Sequence, residues 1–232
     1  MKVQNRVTAL FVICTVSVVL LACWIYPRES VEPVAHGAAL QSCPATPELE
    51  NAVRKLSPDQ TFREMEAAKL RLISSARVSA KCRTEVIGTI IKEMDKPQLQ
   101  AYRDFNLWRY GANVLGDLKA TESLDLLIRN LSFTDGSSIN VTHYPAMEGV
   151  IKMGRPALPK LGAALRQNSD VSYRYNAVFC IAQIGGAGAT AELKAALPSE
   201  SDSCVRKFIE ISIKALSNPK SPGRIGAGDR DA

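Results

Sequence analysis

The sequence predicts an all-α fold of helical hairpins stacked side by side, preceded by an N-terminal apolar helix. Three observations predict it. A unit recurs along the chain, made of an Asp, an Arg four residues on, an apolar helix, a Gly break and a second short helix; its clearest copy is 170–197. Apolar residues in each segment return at spacings of three and four, the period of one helical face. Aromatics make up only 6% of the chain, so Ala and Leu do the filling, and such residues lose little freedom in a helix.

At the N-terminus, Lys2 and Arg6 precede an apolar run over 7–26 that carries no charge. Its length is close to the ~20 residues that cross a hydrocarbon core as a helix. Basic residues ahead of such a run hold the N-terminus in the cytoplasm. Residues 1–27 are therefore read as a signal anchor or a signal peptide. Small residues for cleavage stand at Gly37, Ala38 and Ala39. A lipoprotein is the third alternative, because Leu20-Leu21-Ala22-Cys23 resembles a bacterial lipobox with Cys23 as the acylated residue. The expected location is the cytoplasmic membrane, with a single pass through residues 7–26 and the C-terminal domain outside, as in a periplasm; secretion is the alternative. Residues 28–46 are rich in Pro, Ala, Gly and Ser and read as a flexible linker. The helical domain is expected over 47–217 and a disordered tail over 218–232.

Six Cys are present. Cys43, Cys82, Cys180 and Cys204 are exported in each of these alternatives, and an oxidising compartment favours disulfides. Four Cys allow three pairings. Nearest neighbours give Cys43–Cys82, which ties the incoming strap to the first helices, and Cys180–Cys204, which joins two consecutive repeats.

Within the domain, helices are predicted over 47–56, 61–75 and 79–94, the last with Val86, Ile87, Ile90, Ile91 and Met94 on one face. The next unit presents Leu107, Gly111, Val114, Leu115 and Leu118, then Leu124, Leu127, Ile128 and Leu131. A third has Ala146, Val150 and Met153, a break at Gly154, and Leu158, Leu161 and Leu165 behind Pro156. The clear copy at 170–197 follows, with its stop at Gly185, Gly186 and Gly188. A last helix carries Val205, Phe208, Ile209, Ile213 and Leu216.

Aligned on their breaks, the units place Trp108, His143, Arg174 and Arg206 in register at spacings of 35, 31 and 32 residues. Asp104, Asp170 and Asp202 stand four residues before three of these. An Asp there caps the coming helix. The Arg one turn later is placed to bond an Asp or a carbonyl of the neighbouring repeat and so set the stacking register.

The stretches 170–177 and 202–206, with Gly154-Arg155-Pro156-Ala157-Leu158 opening a second helix, resemble the HEAT-like repeat of the phycobilisome-lyase type. The resemblance covers about half the chain and departs from the family pattern at Trp108 and His143, where Arg is usual. It implies a right-handed α-solenoid of bacterial, exported type that binds other macromolecules. A few such proteins handle bilins.

Chemistry-bearing patterns are few. Of the two His, His36 lies in the linker and His143 at a helix start, with no nucleophile or carboxylate beside them in sequence. No Cys-x-x-Cys and no Cys/His cluster points to a metal, and nothing points to a cofactor or a catalytic group. The net charge of +6 is mixed along the chain rather than blocked, which reads as a solvated surface with no nucleic acid expected. The resulting expectation is a monomeric, non-enzymatic scaffold that binds a protein partner on its repeat surface. Phe133 in the long 132–141 connection and the aromatics Tyr110, Tyr144 and Tyr175 are the expected contacts. The alternatives are an enzyme accessory or chromophore-attachment factor, and a basic surface for anionic envelope components built on Arg71, Arg77, Lys81 and Arg83.

Overall fold

The computed structural model describes residues 42–57, 59–96, 105–134 and 144–218. Among them the chain is all-helical: ten α-helices, three short 3₁₀ turns and no strand. The apolar run at 7–26, Cys23, Asp104, His143 and the tail beyond Asn218 lie outside the described residues. No helix among the described residues is long and apolar enough to cross a membrane.

The first three helices form the opening of the domain. α1 (Thr46–Arg54) starts on Pro47 and buries Leu49, Ala52 and Val53. α2 (Phe62–Ala76) starts on a capping box, in which Thr61 Oγ1 accepts from the Glu64 N–H while the Glu64 carboxylate accepts from the Thr61 N–H. α3 (Ala80–Met94) is capped by Ser79 and buries Val86, Ile87, Ile90 and Met94, the expected face, with Ile91 packed at its margin.

The remaining seven helices are α4 (Phe105–Asp117), α5 (Leu124–Arg129), α6 (Pro145–Met153), α7 (Leu158–Gln167), α8 (Val171–Ile184), α9 (Gly186–Ala196) and α10 (Ser203–Ser217). They pack by alternation: α4 against α6, α6 against α8 and α8 against α10, while α5 lies on α7 and α7 on α9. Contacts between α5 and α6, α7 and α8, and α9 and α10 join the two series. One continuous core runs through them, from Leu49 to Ile209.

The backbones of α4 and α6 approach closely. A Cβ on Gly149 would stand 2.7 Å from the Ala112 carbonyl oxygen, and one on Gly116 3.0 Å from the Gly149 oxygen. Two helix backbones meet there with nothing between them. At the expected stop of α8, Gly185 has φ 70° and Gly186 φ 80°, a region that only glycine enters at little cost. Leu193 and Ala196 are buried on α9 as the periodicity requires, but Leu197 heads a 3₁₀ turn instead of extending the helix.

Cys43 and Cys82 form a disulfide with their Cα atoms 5.4 Å apart. The second expected bridge is corrected: Cys180 and Cys204 are both free. Cys180 faces the core from the third turn of α8, whereas Cys204 is exposed in the first turn of α10. The two helices lie side by side, so the start of one is not opposite the later turns of the other.

Candidate functional site

Asp170, Arg174, Asp202 and Arg206 build the loops ahead of α8 and α10. Asp170 caps α8, its Oδ1 accepting from the Ser172 N–H at 2.8 Å and the Tyr173 N–H at 3.3 Å. Asp202 caps α10 in the same way through Cys204 and Val205. Two residues ahead of each Asp stands a further acceptor: Asn168 Oδ1 takes the Asp170 N–H, and Glu200 Oε1 takes the Asp202 N–H, both at 2.8 Å.

Arg174 then ties one loop to the next. Its Nη1 donates to the Asn168 and Ser169 carbonyls, and its Nε and Nη2 donate to the two oxygens of Glu200 at 2.9 Å. Arg206 repeats the first half of this arrangement, donating to the Glu200 carbonyl at 2.8 Å. Both members of the Arg174–Glu200 pair are buried. The guanidinium, by its hydrogen bonds first and the Asp202 N–H after, holds the Glu200 carboxyl below the usual carboxylate range. These side chains tie the loop before α8 to the loop before α10. Of the two expected acceptors, an Asp or a carbonyl, Arg174 and Arg206 take carbonyls, and Arg174 adds the Glu200 carboxylate in place of an Asp.

The surface carries two further features. An open cleft of about 220 Å³ lies between α2, α4 and α6, lined by Phe62, Glu66, Lys69, Arg109, Tyr110, Asn113 and Glu148. In it Glu66 meets Lys69 at 3.6 Å, and Glu148 accepts from Asn113 Nδ2 at 2.7 Å and meets Lys152, outside the lining, at 3.5 Å. Asn113 Oδ1 is buried without a partner. Further along, Tyr175 of α8 stacks on Phe208 of α10 with ring centroids 4.3 Å apart. Tyr175 is 44% exposed and Ile211, one turn beyond Phe208, is 53% exposed. On α10, Cys204, Phe208, Ile211 and Ala215 follow one another at spacings of four, three and four, which places them on one flank. Lys207 and Lys214 border that flank and are exposed.

Only Tyr175 of the four expected contact aromatics is freely exposed. Tyr110 is buried, and burial with the nearby Glu66 charge pushes its phenol upward. Tyr144 is half-buried at the start of α6 and packs against the core. Phe133 lies 4.9 Å from Trp108 and 6.3 Å from Phe105 between ring centroids, so it anchors the beginning of its loop to α4. Trp108 replaces the expected register Arg by filling this aromatic cluster. The sequence pattern does not mark Phe62 or Ile211 as surface residues; Phe62 is 67% exposed at the first position of α2, where the core stripe has not yet begun.

Reactive groups do not converge. Burial pushes the Cys180 thiol well above its ordinary range. Of the basic set, Arg83 is committed to Glu122 at 2.9 Å and to the Leu118 carbonyl, and Lys81 meets Glu85 at 3.9 Å. Among the described residues no group of three His, Cys, Asp or Glu could hold a metal ion. Comparison with models of known families and with curated proteins gives no match for this chain.

Proposed function

We propose that the chain is a non-enzymatic protein-interaction module of HEAT-like α-solenoid build, held outside the cytoplasmic membrane by residues 7–26, and that it binds one amphipathic helix of a protein partner along α8 and α10. The solenoid reading is supported by the alternating helix contacts and by the Asp-capped, Arg-bonded loop repeated at 168–174 and 200–206. The docking reading rests on one observation, the stack of exposed Tyr175 on half-buried Phe208, continued by exposed Ile211 along α10. A stripe with this spacing on a surface offers an apolar partner helix a place to lie. Lys207 and Lys214 beside it favour acidic residues on the partner's flanks.

The test is a photo-crosslinker placed at position 211 in the membrane-bound chain of the source cells, with a second at the equally exposed Leu70 as control. A discrete adduct from position 211 that disappears in Tyr175→Asp is the expected outcome. Equal adducts from both positions, or one that persists in Tyr175→Asp, would overturn the docking site. The intact mass of the same preparation reports whether residues 1–27 are retained; a chain beginning at an acylated Cys23 would replace the anchor with a lipid.

A further inference from the structure

We propose that the Cys43–Cys82 bridge is a clip opened by thiol–disulfide exchange at one sulfur only, Cys43, and that Glu85 selects the attacking thiol by its charge. The two sulfurs have opposite surroundings. Cys82 is 1% exposed, whereas Cys43 is partly open to solvent. Glu85 Oε2 lies 3.3 Å from Cys43 Sγ. Ser79 Oγ instead donates to Cys82 Sγ at 3.1 Å, while accepting from the Cys82 N–H at the same distance. Cys82 also stands in the first turn of α3, where unpaired backbone N–H groups favour negative charge.

Exchange requires a thiolate to approach one sulfur along the S–S axis while the other departs as a thiolate. Burial closes the approach to Cys82, so the incoming sulfur bonds to Cys43. The S–S bond breaks, and its electron pair leaves on Cys82 Sγ, where the Ser79 hydroxyl and the helix N–H groups stabilise it. The attacking thiol is oxidised to one half of the mixed disulfide as Cys82 is reduced, so no further oxidant takes part. Glu85 acts on the approach: its carboxylate beside the electrophilic sulfur repels molecules of negative charge and favours cationic ones. Lys81, 3.9 Å from Glu85 and 83% exposed, offsets this only in part, because its ammonium is screened by water. The clip therefore admits cationic and neutral thiols ahead of anionic ones, and its opening releases the segment before α1 from α3.

The test uses the full-length oxidised chain, with its free thiols first capped by iodoacetamide. Cysteamine or 2-mercaptoethanesulfonate is then added, and the reaction is trapped with a second, heavier alkylating agent. Peptide mass spectrometry is expected to find the adduct on Cys43 and the new alkylated thiol on Cys82. The cysteamine-to-sulfonate rate ratio should fall by about 3-fold in Glu85→Gln, the size of one screened charge a few ångströms away, and should rise in Lys81→Glu. An adduct on Cys82, or a rate ratio indifferent to both substitutions, would overturn the proposal.

Discussion

At the scale of single residues, Glu200 is a heavily committed group. It accepts both guanidinium N–H groups of Arg174 and the Asp202 N–H, and it is 5% exposed. Removing one partner of a buried pair strands the other charge, so Glu200→Gln should cost about 3 kcal/mol at neutral pH. The pH dependence follows from the lowered carboxyl. The unfolded chain takes up this proton at about pH 4.3, before the folded chain does. Stability from Glu200 is therefore complete above that value and drains away as pH falls below it. Urea unfolding at a series of pH values from 7 to 3 should show a shallower acid decline in Glu200→Gln than in the parent; parallel curves would remove the carboxylate from this role. The Asp caps and the reach of Arg174 were legible because they repeat at a fixed spacing. Glu200 was not, since it lies in a loop with no face to betray it. The available signal was its register with Asn168, two residues ahead of the other capping Asp.

At the scale of elements, helix positions followed from periodicity and caps, but which helices press hardest did not. A single sequence marks Ala146, Val150 and Met153 as the core face of α6; it does not say that Gly149 meets the backbone of α4. That contact yields paired expectations. Gly149→Ala drives a methyl to 2.7 Å from the Ala112 carbonyl oxygen, and since neither backbone can yield without parting the helices, it should destabilise by about 1–3 kcal/mol. Gly88 sits in the middle of α3, exposed, with nothing within 4 Å of the added atom. There the same substitution should stabilise by about 0.5–1 kcal/mol, through the lower entropy of the unfolded chain and the better helix propensity. Thermal unfolding of both variants measures the contrast, and a Gly149→Ala protein as stable as the parent would show that α4 and α6 can separate freely. The short α5 is likewise held by contacts that its periodicity does not show. Tyr173 donates to the Ile128 oxygen at 2.6 Å in its last turn, and Asn176 to the Leu131 oxygen at 3.1 Å just beyond its end. Such long-range caps leave no trace in local sequence.

At the scale of the whole domain, the proposed stack has an end problem. Each hairpin covers its apolar stripe with the next, and among the described residues no helix precedes the first. The strap and the bridge address that end. Cys43–Cys82 closes a loop of sequence separation 39 that contains all of α1 and α2, so neither can peel away while α3 holds. In the chain-entropy account such a closure contributes about 4 kcal/mol by restricting the unfolded chain. Cys43→Ser removes it and leaves Cys82 as a buried thiol, which packs as a small apolar group. The loss should be local before it is global, because α4 to α10 rest on one another rather than on the strap. Amide hydrogen exchange of the variant should therefore show α1 and α2 losing protection first, with α6 to α9 close to the parent. A uniform loss of protection from α1 to α10 would instead mean that the domain unfolds as one unit, and the picture of neighbour-by-neighbour stacking would fail with it.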